Sequence, residues 1–176
     1  MTSTSFRSIR PRADEHLDYY SRYIDRVPDG DIIEILKRDT VQTFEFLRSI
    51  PESKFDFKYG PDKWTVRQVV GHLADGERVF QYRAWRFSRA DTTPVPGFEE
   101  NDYVANGPFT RVTMPDLIGE FESLRRASIH LFENLDEEAM SRRGLANNAE
   151  VSVRAIAYII AGHVSHHIQV LKERYL

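Results

Sequence analysis

Three histidines form the residue pattern with the clearest chemical meaning in this sequence. His163 and His167 lie four residues apart within GHVSHHIQVL, and His72 lies in an earlier segment with helical spacing, VRQVVGHLADGERVF. Residues four apart project from the same side of an α-helix, so His163 and His167 can bind one cation while His72 reaches it from a second helix. Three imidazole ligands leave coordination positions for water or substrate, which is typical of catalytic metal sites and not of closed structural ones.

The place of these histidines on their helices favours metal binding over a surface location. An i, i+4 histidine pair is by itself more typical of hydrogen-bonded or surface side chains than of a metal site. Here the pair falls within or beside an apolar stripe, where burial without a partner costs on the order of 2 kcal/mol for each imidazole. His72 lies on the shoulder of its own stripe, with Gly76 one turn beyond it providing space. The stripe around the pair consists of Ile156, Ile160, Val164 and Leu171.

The other three histidines are weaker candidates. We expect His16 and His130 to be solvated or satisfied by local hydrogen bonds. His166 lies toward the rim of the apolar stripe and could accept a proton beside the metal site.

Glu77 occupies a position in the sequence where a charged residue is unexpected. It lies near the middle of the second helix's apolar stripe, where an ionised side chain is rare unless it is paired. Its carboxylate could orient a metal-bound imidazole through the second ring nitrogen, which usually donates a hydrogen bond. It could equally form a buried ion pair with an arginine such as Arg125 or Arg154. Glu77 is therefore a candidate for a catalytic role, with a structural alternative.

The composition limits the chemistry and the partners. The 24 basic and 27 acidic residues give a net charge of -3 without a basic stripe, which argues against a nucleic-acid partner. The chain has no cysteine, so any thiol in the reaction comes from outside. The N-terminal MTSTSFRSIR lacks the apolar segment of a signal peptide, and no apolar run has membrane-spanning length. We expect a cytoplasmic protein with a small-molecule substrate.

Capping residues and helical periodicity predict an all-α protein. Asp31 is a plausible N-cap for the first long helix, Thr65 and Gln68 form a capping box for the second, and Ser152 caps the fourth. Since little in the sequence indicates strands, we predict a four-helix bundle with short extra helices, one of them over about 14–25. The long helices are expected over 31 to about 50, from 65 for about 25 residues, from about 113, and from 152 almost to 176.

A connection rich in proline and glycine, from about Asp91 to Val112, separates the second helix from the third. It is too long for a tight turn, and its periodicity is too weak for a pair of strands. Long ordered loops are often functional, so Asn101 or Tyr103 could close over the site, with Tyr103 a weak catalytic candidate. No repeat or break in composition divides the chain, and we expect one domain over 1–176 with a flexible tail over 1–12.

Several segments resemble the DinB/YfiT-like superfamily of metal-binding four-helix bundles. KWTVRQVVGHLADGERVF is similar to its second-helix signature, and VSVRAIAYIIAGHVSHHIQVLKERY is similar to its last-helix signature. RFSRADTTPVPGFEENDYV and LIGEFESLRRAS extend the resemblance over 19–176. The resemblance implies a bundle with a long crossover between helices two and three, and it matches His72, His163 and His167 with the superfamily's metal ligands.

The resemblance also implies a metal-dependent activity. Characterised members include transferases and isomerases that use low-molecular-weight thiols such as bacillithiol or mycothiol. We therefore predict a transferase that joins a small thiol to an electrophilic substrate, with a metal-dependent hydrolase as the nearest alternative. A non-enzymatic, metal-binding stress-response protein is the alternative from another class. Three imidazoles suit a divalent ion, zinc or nickel foremost and iron or copper next, and we expect a homodimer.

Overall fold

Seven α-helices and one short sheet make up the computed structural model, which describes residues 5–176. In chain order the elements are α1 (Ser21–Ile24), α2 (Ile32–Ser49), α3 (Val66–Ser88), α4 (Glu100–Asn106), α5 (Met114–Glu133), α6 (Glu137–Ser141), β1 (Arg143–Ala146), β2 (Ala149–Ser152) and α7 (Val153–Arg174). The long helices α2, α3, α5 and α7 form the bundle. The all-α prediction with four long helices is therefore confirmed.

The long helices begin at the predicted capping residues. The side chain of Asp31 accepts a hydrogen bond from the backbone N–H of Ile33 at the start of α2. Thr65 and Gln68 exchange the two hydrogen bonds of a capping box at the start of α3, and Ser152 caps α7. Local hydrogen bonding thus sets where the two helices that carry the histidines begin.

The bundle packs α3 against α5 and α7, and α2 against the same two helices. The short helix α1 covers one side of the bundle, where its backbone packs directly on α7 at Gly162. A Cβ atom at Gly162 would lie 1.9 Å from the backbone oxygen of Tyr23, so only glycine allows this approach. None of the described helices has both the length and the apolar character needed to cross a lipid bilayer.

A β-hairpin between α6 and α7 was not predicted. Its strands β1 and β2 are antiparallel and have four residues each. The turn is formed by Asn147 and Asn148, whose φ angles of 51° and 59° match a type I′ turn. The hairpin is a departure from the all-α prediction. It was missed because strands this short show no alternation of apolar and polar residues that stands out from the neighbouring helices.

The crossover between α3 and α5 is present as predicted, but it is more regular than expected. It contains α4, and Val95 forms a parallel bridge with Ala146 of β1. The backbone N–H of Val95 donates to the Leu145 oxygen at 2.9 Å, and that of Asn147 donates to the Val95 oxygen at 3.0 Å. The crossover is therefore fastened to the hairpin.

The N-terminal segment also contacts the bundle. Arg7 donates to the backbone oxygen of Glu133 at 2.7 Å, and Arg10 donates to the backbone oxygen of Ile24 at 2.8 Å. The expected flexible tail over 1–12 includes residues 1–4, which lie outside the described residues; the rest of that stretch includes Arg7 and Arg10, which make these hydrogen bonds to the bundle. The helix predicted over 14–25 is instead formed by two short 3-10 turns and α1, over Ala13–Glu15, Asp18–Tyr20 and Ser21–Ile24.

Candidate metal centre

The three candidate ligands meet between α3 and α7. One ring nitrogen from each of His72, His163 and His167 lies within 4.8 Å of the others. Nε2 of His72 and Nε2 of His163 are 3.0 Å apart. Because His167 lies one helical turn after His163, both project from α7 toward α3. The structure thus brings together side chains that are distant in sequence.

The spacing of the ring nitrogens fits a single divalent ion. Zinc–nitrogen bonds of about 2.0–2.1 Å in a tetrahedron place two ligand nitrogens about 3.3 Å apart. The separation of 3.0 Å between His72 and His163 is slightly shorter, so a small movement of either ring would suffice. The ring centroids of His163 and His167 are 4.7 Å apart, and this keeps the third donor within reach of the same point.

Burial keeps the three imidazoles neutral. It lowers the pKa of His72 to about 4, against an opposite effect from the carboxylate of Glu100. Burial also lowers the pKa values of His163 and His167 well below the usual value, and neighbouring histidines add to the shift. Neutral imidazole is the form that binds a metal, so the ligands need not lose a proton near neutral pH.

Aromatic rings hold the histidines in position. The ring centroid of Trp64 lies 4.7 Å from that of His72, and Tyr23 lies 5.3 Å from His163. The missing side chain of Gly76 leaves room for His163, because a Cβ atom there would lie 3.1 Å from Cε1 of the imidazole. The sequence predicted this space beside His72, and the structure shows that the ring of His163 occupies it.

The histidines open into a cavity of about 520 Å³. This volume suits one drug-sized molecule or two smaller ones. Among the residues that the structure describes, no serine, threonine, cysteine or lysine lines the cavity, and the groups there that could act as nucleophiles are glutamate, histidine and tyrosine side chains. Much of the wall is aromatic, and it includes Tyr19, Tyr20, Tyr23, Trp64, Phe80 and Phe98.

Glu77 forms the ion pair that was one of its two predicted roles. Nε and Nη2 of Arg125 donate to its two carboxylate oxygens at 3.0 and 2.8 Å, and both side chains are buried. The other proposed arginine, Arg154, instead donates to Glu15. Glu77 therefore does not hydrogen-bond to a candidate ligand, because both of its oxygens are bound to the guanidinium.

The loop residues Asn101 and Tyr103 do not line the cavity. Tyr103 is 48% exposed, and its ring packs against Phe98 at a centroid distance of 5.0 Å. In contrast with the expectation for Asn101 and Tyr103, the crossover contributes Glu100 to the cavity.

The weaker histidine candidates are spread over the surface and the cavity rim. His130 is exposed and lies 3.3 Å from a carboxylate oxygen of Glu133, and Nδ1 of His16 lies 2.9 Å from the backbone oxygen of Leu17. His166 lines the cavity, and burial followed by the charges of nearby arginines lowers its pKa. It is the one of the three that could interact with a bound molecule.

Four charged residues that line the cavity were not predicted, namely Arg22, Arg83, Glu99 and Glu100. Arg83 on α3 is 4% exposed, and Glu100 at the start of α4 is half-buried. Arg83 had a signal in the sequence, since it lies three residues after Phe80 and four before Phe87 on an apolar helical stripe. Glu100 had none, because only the folded crossover brings it near the histidines.

The fold and the site define a four-helix bundle with a candidate metal centre at the wall of a cavity. The sequence model of the DinB superfamily matches residues 35–171. The chain therefore belongs to the DinB superfamily, and the family resemblance seen in the sequence is confirmed.

Comparisons with individual proteins agree with this family. A protein of Oceanobacillus iheyensis, named "Putative metal-dependent hydrolase", is 26% identical over 155 residues, covering 84% of this chain and 87% of that protein. The structure of YfiT from Bacillus subtilis, described as a probable metal-dependent hydrolase with an unusual four-helix bundle topology, is similar with a TM-score of 0.71 and 18% identity. The match covers 94% of this chain and 91% of YfiT.

A mycothiol-dependent maleylpyruvate isomerase is also similar in structure. Its TM-score is 0.68 at 14% identity, and the match covers 83% of this chain and 61% of the isomerase. At this level of identity, both structural likenesses show the fold. The relatives' names include a hydrolase, which is the predicted alternative, and a thiol-dependent isomerase, whereas none of them names the predicted thiol transferase.

Proposed function

We propose that this protein is a metal-dependent enzyme that transfers a low-molecular-weight thiol to an electrophilic small molecule. The observation that carries the proposal is the meeting of three neutral imidazoles at the wall of a roomy cavity. Since the chain contains no cysteine, the attacking thiol comes from a bound molecule. A cytoplasmic location would provide the reduced thiol.

His72, His163 and His167 would hold the ion, with zinc or nickel as the first candidates. When bound, such an ion supplies Lewis acidity, which lowers the pKa of a thiol or water beside it. The aromatic wall can pack against the apolar part of the substrate. Glu100 lies close enough to His72 to affect its pKa, and its carboxylate can accept the proton that the nucleophile releases.

Hydrolysis by the same site is the second candidate. It is favoured by the name of the Oceanobacillus iheyensis relative and by Glu100, which could take a proton from water as readily as from a thiol. The ligands are the same in both reactions. The difference lies in which nucleophile enters the cavity.

Elemental analysis of untagged protein tests the metal site. We expect close to one divalent ion per chain in the wild type and a loss of most of it in His163→Ala, because two remaining imidazoles bind weakly. His130→Ala is the matched control, since that histidine is exposed and outside the cavity. Equal metal content in the wild type and His163→Ala would contradict the assignment.

Turnover assays on the metal-loaded protein test the reaction. Small thiols, bacillithiol and mycothiol among them, are offered with an aryl halide, and p-nitrophenyl acetate is offered alone. Thiol-dependent product that disappears in His163→Ala is the expected result. Ester cleavage without thiol would support hydrolysis instead, and full metal occupancy without any turnover would favour a non-enzymatic metal-binding protein.

A further inference from the structure

A buried arginine faces the cavity without a matching carboxylate. Arg83 is 4% exposed, and its Nε atom has no hydrogen-bond partner among residues 5–176. Its Nη2 atom donates to the backbone oxygen of Pro96 at 3.1 Å. Within the described chain no carboxylate lies at ion-pair distance from Arg83, although a guanidinium remains charged at any physiological pH.

The other deeply buried arginine, Arg125, has a carboxylate partner. Arg125 is 1% exposed, and both carboxylate oxygens of Glu77 accept hydrogen bonds from it. A buried cation needs such a partner because removal from water is costly. Among the described residues no such partner is found for Arg83, and this residue lines the cavity.

The ring of Phe80 lies near both Arg83 and the candidate metal centre. The guanidinium carbon of Arg83 lies 5.9 Å from the ring centroid of Phe80, and the imidazole of His163 lies 6.0 Å from the same ring. Tyr20 also lines the cavity, and its phenol lies near enough to Arg83 for the positive charge to oppose the effect of burial on its pKa. A flat apolar molecule lying on Phe80 would thus reach both Arg83 and the candidate metal ligands.

We propose that Arg83 binds the carboxylate of the substrate and that the substrate is a small organic acid with an apolar or aromatic body. The planar fork of a guanidinium matches two carboxylate oxygens, and burial strengthens such a pair. The proposal rests on the proposed function in that it assigns the substrate to the same cavity. Recognition of the carboxylate is a property of Arg83, however, and does not require the ion.

Calorimetric titration with benzoate and its neutral analogue benzamide tests this proposal on metal-free and zinc-loaded protein. In both forms the wild type should bind benzoate at least about tenfold more tightly than benzamide. Arg83→Met should abolish the preference and keep its fold by circular dichroism. Arg22→Met is the matched control, because Arg22 lines the same cavity but is exposed and stacks on Tyr19, and it should retain the preference.

Two results would overturn the proposal. Equal binding of benzoate and benzamide by the wild type would do so without any variant, even if Arg83→Met failed to fold. A preference for benzoate that exists only in the zinc-loaded protein would assign the carboxylate to the ion. Neither result depends on the His163→Ala measurement, so the anion site and the metal site can fail separately.

Discussion

Replacing Glu77 by glutamine should destabilise the fold while leaving the three candidate metal ligands in place. The carboxylate accepts two hydrogen bonds from Arg125, and each side chain is 1% exposed. Because water reaches neither partner, the cost typical of a broken buried pair applies, and not the 1 kcal/mol or less of surface pairs. We therefore expect Glu77→Gln to lower the free energy of unfolding by about 3–5 kcal/mol.

Urea denaturation followed by circular dichroism measures this effect in Glu77→Gln, Arg125→Met and the double variant. The double variant should lose less than the sum of the single variants, with a coupling of about 2 kcal/mol or more. Arg126→Met, next to Arg125 but with a mostly exposed side chain paired to Glu122, should cost about 1 kcal/mol or less. Strictly additive losses would refute the ion-pair reasoning. A Glu77→Gln variant that kept its stability but lost its metal would instead indicate that Glu77 orients a metal-bound imidazole.

Two further predictions concern stability. Gly162→Ala would place a methyl group 1.9 Å from the backbone oxygen of Tyr23, so we expect a loss of about 1–3 kcal/mol in urea denaturation. Gly119→Ala on α5, with nothing within 4 Å, should instead stabilise by up to about 1 kcal/mol, and equal effects would be inconsistent with this packing. Burial raises the pKa of Glu15, but hydrogen bonds from Ser152 and other donors outweigh it, so the net pKa is below the usual 4.5. A lowered carboxyl pKa stabilises the fold above the unfolded-state pKa, and this contribution is lost as the pH falls through the folded-state pKa. The difference in unfolding free energy between wild type and Glu15→Gln should therefore be largest above about pH 5 and shrink in acid, and a difference independent of pH would contradict this.

Features that depend on a few neighbouring residues could be predicted from the sequence. The start of α3 follows from Thr65 and Gln68, because a capping box is closed within four residues. The pairing of His163 with His167 follows from the helical repeat alone. The third candidate ligand, His72, needed the family resemblance as well, since its helix phase is less clear.

Features that depend on distant partners could not be predicted in the same way. The sequence left Glu77 with two roles, and its pairing with Arg125 was settled by the packing of α3 on α5 and by Glu15, which binds the competing Arg154. Glu100 is brought to the cavity by the crossover, whose position depends on the hairpin. The Asn147–Asn148 turn did carry a local signal, but the two short strands beside it did not.

The bridge between Val95 and Ala146 lies next to a part of the cavity wall that is distinct from the helices carrying the candidate ligands. The candidate ligands belong to α3 and α7, two of the four long helices, whereas part of the cavity wall belongs to the stretch over 97–100, which directly follows this bridge in the chain. Substitutions in that stretch can alter which molecules enter without moving an imidazole. Selectivity in such a scaffold can therefore change while the three candidate ligands stay in place.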